Sequence, residues 1–142
     1  MLFEARIWKG DSKWWLAELP IADVVTQGRS RKDAMEMLED LIKVALNRPA
    51  YKVHVRDVGK SRYVVEVSDP APLVALILKR QRSKHRLSLA DAAKALGQSS
   101  RNSFARYEQG RAAPTIDKLV ELLHAVAPEM PIVIGACQIA KR

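Results

Sequence analysis

Residues Leu87–Pro114, LSLADAAKALGQSSRNSFARYEQGRAAP, read as two short capped helices joined by a tight turn. Ser88 opens the first helix, and Asp91 three residues on completes a capping-box spacing. Ala90, Ala93 and Leu96 recur at helical spacing as its apolar stripe, and Gly97 supplies the permissive backbone where the helix stops. The second helix is expected to start near Ser99 or Ser100, to run to Gly110, and to bury Phe104 and Tyr107. It opens on Ser, Ser, Arg and Asn, small polar and cationic side chains of the kind that read base edges in a DNA major groove. A third helix, Thr115 to Ala127, follows Pro114 and turns Leu119, Leu122, Leu123 and Val126 inward. The pattern is a helix-turn-helix with flanking support.

Working outward, the run L-S-x-x-D-A-A-K-x-L-G (Leu87–Gly97), a Ser-rich turn, R-Y-E-Q-G (Arg106–Gly110) and P-T-x-x-K-L (Pro114–Leu119) resembles the Cro/repressor-type (Xre-like) DNA-binding domain over Leu73 to Ala127. Gly97, Glu108, Gly110 and Pro114 at these spacings carry the likeness, and the segment from Gly97 to Arg106 is one residue longer than the commonest form. The phrase Ser99-Ser100-Arg101-Asn102 followed by Ala105-Arg106-Tyr107-Glu108-Gln109-Gly110 is similar to the C-terminal domain of some HicB-type antitoxins. The resemblance implies that Ser99, Ser100, Arg101, Asn102 and Ser103 face a major groove and that Arg106, one turn on, meets a phosphate or a peripheral base. Arg101 suits guanine O6/N7 and Asn102 suits adenine N6/N7 by bidentate geometry. Glu108 is expected to be structural, because an unpaired carboxylate is repelled from DNA.

Charge supports that placement. Residues 1–70 hold 12 Lys/Arg against 11 Asp/Glu, whereas residues 71–142 hold 12 against 5, so the basic excess lies with the helix-turn-helix. Its densest cluster is Lys79, Arg80, Arg82, Lys84, His85 and Arg86, just before Leu87. These cations favour a helix C-terminus on their own account, and beside a helix-turn-helix they also attract phosphate. Ser68-Asp69-Pro70-Ala71-Pro72 marks a short, stiff boundary, dividing the chain into residues 1–69 and 70–142.

The N-terminal part reads as a small α+β unit. Leu2 to Lys9 and Lys13 to Leu19 are strand candidates joined by Gly10-Asp11-Ser12, with Phe3, Ala5 and Ile7 alternating against Glu4, Arg6 and Trp8. Val24 to Thr26 form a short third strand ending at Gln27-Gly28. Ser30 with Asp33 then opens a helix to about Leu46, whose stripe Ala34, Leu38, Leu41, Ile42 and Ala45 covers one sheet face while Glu36, Glu39, Asp40 and Lys43 face water. Strands Tyr51 to Val58 and Tyr63 to Val67 follow, turned by Gly59-Lys60-Ser61. Three strands, then Thr26-Gln27-Gly28, then Ser30, Asp33 and Ala34 with a helix, resemble the HicB domain, which implies a partial RNase H-like fold. The acidic, proline- and glycine-bearing turn common in that family is replaced by Glu18-Leu19-Pro20-Ile21-Ala22-Asp23. The fold class expected is α+β: a small antiparallel sheet with one packed helix, then an all-α helix-turn-helix domain with a C-terminal strand or tail.

Several kinds of chemistry are not supported. A nuclease of RNase H type needs carboxylates converging on two metals about 4 Å apart. Glu4 and Glu18 on strands, Asp23 in a loop and a capping Asp33 do not make such a site, Glu4 sharing a face with Arg6 instead. His54, His85 and His124 lack helical metal-pair spacing, and no serine elbow or phosphate-cradling glycine loop occurs. No catalytic residue, metal or cofactor is expected. Trp14 and Trp15 are adjacent, so one must leave the helix-covered face, where it marks either a protein interface or a covered surface. The single cysteine, Cys137, fits a reduced, cytoplasmic setting, the N-terminus does not read as a signal peptide, and no apolar run is long enough for a bilayer.

The HicB resemblance implies an antitoxin. Its N-terminal part would cover the active site of a HicA-type RNA-cleaving toxin, and its C-terminal part would repress its own operon from an inverted-repeat operator. Reading an inverted repeat requires a homodimer or higher oligomer with recognition helices about 34 Å apart. Pro131-Ile132-Val133-Ile134 is a strand candidate that either pairs across that two-fold axis or returns to its own chain. The alternative is a stand-alone repressor whose N-terminal part senses a ligand.

Overall fold

The computed structural model describes residues 1–139. The chain divides into two compact units: Met1–Pro70 with the described residues from Gly135 on, and Ala71–Ile134.

The first unit is mixed α/β, a five-stranded antiparallel sheet with one helix. Its strands are β1 (Leu2–Lys9), β2 (Trp15–Leu19), β3 (Val24–Gly28), β4 (Val53–Gly59) and β5 (Arg62–Val67), in the order β3-β2-β1-β5-β4. The alternation in β1 is realised: Phe3, Ala5 and Ile7 are buried, and Glu4, Arg6 and Trp8 are exposed. Arg6 reaches across to Glu18 on the neighbouring strand at 4.0 Å rather than to Glu4. A 3-10 turn, Pro20–Ala22, carries β2 into β3.

Helix α1 (Arg31–Ala45) covers one face. Ser30 Oγ accepts from Asp33 N–H at 3.1 Å, while Asp33 Oδ2 accepts from Arg29 N–H at 2.7 Å, so the reciprocal bond falls one residue before the cap. Gly28 is required by space: a Cβ there would lie 2.3 Å from Ala34 N. Ala34, Leu38 and Ile42 are buried as the spacing predicts, but Ala45 is exposed at the last turn. Glu39 does not simply face water, since its Oε1 accepts from Val55 N–H at 2.7 Å.

The second unit is all-α. Helix α2 (Pro70–Lys84), which begins at the last residue of the first unit, is followed by α3 (Leu89–Ala95), α4 (Asn102–Glu108) and α5 (Ile116–Val126). Its core is built on Leu73, Ile77, Leu78, Phe104, Leu122, Leu123 and Val126, all nearly inaccessible. Two sequence expectations are corrected here. In α3 the buried pair is Ala92 and Ala93, with Ala90 exposed and Leu96 just past the helix, because a seven-residue helix presents too short a stripe to fix its own rotation. Pro131–Ile134 is not a strand: Val133 and Ile134 are exposed, and no described strand pairs with them. From Gly135 on, the tail groups with the first unit, where Arg62 Nη2 donates to Cys137 Sγ at 3.4 Å, whereas the expected domain of residues 70–142 carried it with the second. The end of that expected domain, residues 140–142, lies outside the described residues.

Candidate nucleic-acid interface

The hairpin of α3 and α4 is built from paired start and stop signals. Ser88 and Asp91 form a full capping box, Ser88 Oγ accepting from Asp91 N–H at 3.0 Å and Asp91 Oδ2 accepting from Ser88 N–H at 2.8 Å. These bonds hold the Asp91 carboxyl below its ordinary range, aided by Lys94. The helix ends in a Schellman pair, Gln98 N–H to Ala93 O and Gly97 N–H to Lys94 O, both at 2.9 Å, with Gly97 at φ 73°. Helix α4 closes in the same way through Arg111 N–H to Arg106 O at 2.9 Å and Gly110 at φ 70°. Helix α2 closes likewise, but there the left-handed residue is Arg86, at φ 55°.

The start of α4 departs from expectation. The helix begins at Asn102, and Ser99 and Ser100 belong to the turn before it. Ser100 acts as a local cap: its Oγ accepts from Asn102 N–H at 3.3 Å, and its carbonyl accepts from Ser103 N–H at 3.0 Å and from the Ser103 hydroxyl at 2.6 Å. Serine side chains competing for backbone groups delay the regular helix by a residue or two.

The surface formed is sharply divided. Phe104, Ala105 and Tyr107 are buried, while Ser99, Ser100, Arg101, Asn102 and Arg106 are exposed. Ser103 is half-buried with its hydroxyl committed to Ser100. Arg106 lies over its neighbour, with Nη2 donating to Tyr107 Oη at 2.8 Å and Cζ 4.7 Å from the ring centroid. Gln98, also exposed, extends the polar row by one residue that the sequence reading did not single out.

The hairpin is fixed to α2 by an ion pair. Arg82 Nε and Nη2 donate to the two Glu108 oxygens at 2.6 and 2.7 Å, and Nη1 donates to Leu87 O at 2.7 Å. The side chains are only 17% and 8% exposed, so the pair is largely removed from water, and Glu108 holds the Arg82 pKa above its ordinary value despite burial. This makes Glu108 structural, as expected of a carboxylate that DNA would repel if it were unpaired. It also takes Arg82 out of the phosphate-attracting cluster. His85 leaves that cluster too, with Nδ1 2.8 Å from Gln81 O and Nε2 2.6 Å from Glu129 Oε1. The Gln81 carbonyl and then Glu129 raise the His85 pKa above its ordinary value, against burial and Lys84. Lys79 and Arg86 of that cluster are exposed.

Helices α3 and α4 clipped to α2 in this way, with a polar, cationic row at the start of α4, form a helix-turn-helix module. Residues 74–129 match the family model described as a helix-turn-helix domain, and the second unit is a Cro/repressor-like (Xre-like) helix-turn-helix domain. No curated protein matches the chain.

Elsewhere, Glu4, Glu18, Asp23 and Asp33 do not form a cluster: Glu4 is exposed on β1, Glu18 meets Arg6, Asp33 accepts from Arg29 N–H before α1, and Asp23 holds the left-handed position after the 3-10 turn at φ 51°. Among the described residues, no group of three or more His, Cys, Asp or Glu side chains could hold a metal ion. No described helix is long and apolar enough to cross a membrane.

Proposed function

We propose that this chain is a sequence-specific DNA-binding repressor of the cytoplasm, with its reading element in α4 and the turn before it. The observation that carries the proposal is the split of that element: Phe104, Ala105 and Tyr107 anchor it while Arg101, Asn102 and Arg106 stand exposed on a unit with a large basic excess. Arg101 is assigned to guanine O6/N7 and Asn102 to adenine N6/N7. Ser99, Ser100 and Ser103 add shorter contacts, with Ser103 limited by its bond to Ser100. Arg106 faces a phosphate, and the exposed Lys79 and Arg86 supply general attraction. A dimer on an inverted repeat doubles the contacts, and the first unit senses a ligand or binds a partner.

The test is selection of bound duplexes from a random pool by the full chain, followed by titration of the enriched sequence. Arg101→Ala should cost about 1–3 kcal/mol and relax one position of the site. Recovery of no preferred sequence at low salt would reject sequence-specific binding, and unchanged affinity and specificity in Arg101→Ala would reject the assigned register.

A narrower reading, a HicB-type antitoxin that neutralises a HicA-type toxin, is favoured by one observation. The run Thr26-Gln27-Gly28-x-Ser30-x-x-Asp33-Ala34 forms a strand-to-helix junction in which Gly28 admits the backbone of Ala34. Expression of a neighbouring short, basic reading frame tests it. Growth arrest relieved by residues 1–70 supports an antitoxin, and no arrest leaves the broader repressor.

A further inference from the structure

Residues 130–140 form the longest run of the sequence without a charged side chain, and they lie in the half where Lys and Arg outnumber Asp and Glu by 12 to 5. The run starts from a fixed base. Ala127 N–H donates to Leu123 O at 2.7 Å to end α5, Met130 N–H donates to Ala127 O at 3.0 Å, and Glu129 Oε1 lies 2.6 Å from His85 Nε2. Past that base the chain leaves the core. Ile132 is half-buried, Ile134 is 75% exposed, and Val133, at 86%, is the most exposed large apolar side chain among the described residues. Three consecutive β-branched residues suit a strand, and no described strand pairs with them.

The sequence about Val133 is its own complement. An antiparallel pairing with a second copy, centred there, sets Ile132 opposite Ile134 of the partner subunit and Val133 opposite Val133 of the partner subunit, so each contact joins two β-branched side chains. Positions along such a ladder alternate between hydrogen-bonded and non-bonded pairs. With Val133 at a non-bonded pair, Pro131 also falls at one, opposite Gly135 of the partner subunit, and its missing N–H costs no hydrogen bond. Charge selects the same place. Two copies of a strongly basic unit repel each other, and an uncharged segment standing off its core is where they meet at least cost. We propose that Ile132, Val133 and Ile134 form the two-fold interface of a homodimer, a two-stranded antiparallel ribbon about Val133 that exists only in the assembled pair. The interface is isologous, and it is argued from this segment alone, so it stands or falls independently of the DNA-binding reading.

The experiment is the mass of the full chain in solution over a dilution series at low and high salt, with cross-linking as a second readout. A ribbon this short is weak, so wild type should dimerise reversibly, and more tightly at high salt, which screens the repulsion between the basic units. Val133→Lys should raise the dimer dissociation constant roughly tenfold or more, because like charges then meet on the axis, whereas Val133→Thr, which keeps the β-branch, should change it far less. In a Cys137→Ser background, Val133→Cys should oxidise to a covalent dimer, since the Cα atoms of a non-bonded pair lie about 4.5 Å apart. Ile132→Cys, whose counterpart lies two residues along the ribbon and roughly 8 Å away, should do so far more slowly. Far-UV circular dichroism checks that each variant folds. A monomeric wild type, a dimer that high salt dissociates, or cross-linking no faster at Val133→Cys than at Ile132→Cys would each overturn the ribbon. So would a dimer indifferent to Val133→Lys but lost on Val120→Lys, which would move the contact to the exposed Ile116 and Val120 of α5.

Discussion

In the first unit, the positions least open to change are places where backbone meets backbone, as at Gly28 under Ala34. In the second they are charges, above all Arg82 and Glu108 beneath the hairpin. The sheet and α1 bury a continuous apolar stripe, and the ion pairs around them are mostly exposed, where such pairs contribute little. In the second unit α3 and α4 are only seven residues each, so the apolar core is supplemented there by a capping box, Schellman closures and one nearly dry ion pair. Size accounts for the contrast: a seven-residue helix cannot bury enough side chain to fix its own orientation, and polar groups with strict geometry do so instead.

If that contrast holds, the two units fail under different insults. Gly28→Ala should destabilise the first unit by about 3 kcal/mol or more, the upper end of overpacking, since backbone must move to admit the methyl group. Thermal unfolding should show the loss in the first unit and leave the second unchanged. Glu108→Ala should cost the second unit about 3 kcal/mol by stranding Arg82, and Glu108→Ala with Arg82→Met should recover part of it, since an apolar replacement removes the stranded charge. A single mutant as stable as wild type in urea titration would show that the pair does not hold the hairpin.

Smaller effects sharpen the comparison. Arg86 occupies a left-handed position that glycine takes without strain, so Arg86→Gly should raise stability by about 1 kcal/mol while weakening binding of any duplex at low salt. Greater stability with undiminished binding would remove Arg86 from the phosphate-attracting set. The smallest effect is with pH. The His85 pKa is raised by Gln81 and Glu129, so its charged form favours the folded state. That contribution is complete below the ordinary histidine pKa and is lost as pH rises through the folded one. The second unit should therefore melt slightly lower at pH 8 than at pH 6, a difference that His85→Gln abolishes.

The sheet and α1 were largely legible because alternation in β1, the turn at Gly59-Lys60-Ser61 and the Ser30 cap each act over a few residues. The helix-turn-helix was legible from Ser88, Asp91, Gly97, Gly110 and Pro114 for the same reason. What escaped was long-range or finely balanced. Arg82 stood among cations in the sequence, and only the fold brings it to Glu108, 26 residues away. The start of α4 was placed too early because Ser100 and Ser103 bond to nearby backbone. Pro131–Ile134 has the composition of a strand but no described partner, and an extended apolar segment without one is not a strand.

The division of α4 also bears on how such a protein can change. Folding depends on Phe104, Ala105 and Tyr107, whereas Arg101 and Asn102 rest on nothing in their own unit beyond the backbone turn that presents them. Substitutions at those two positions are therefore nearly free of consequence for stability, and a new preference can be tried without first rebuilding the module. Arg106 is the exception, tied to the Tyr107 ring. On the proposed assignment, recognition and foldability fall on separate residues of α4 and the turn before it, and only the first set is open to rapid revision.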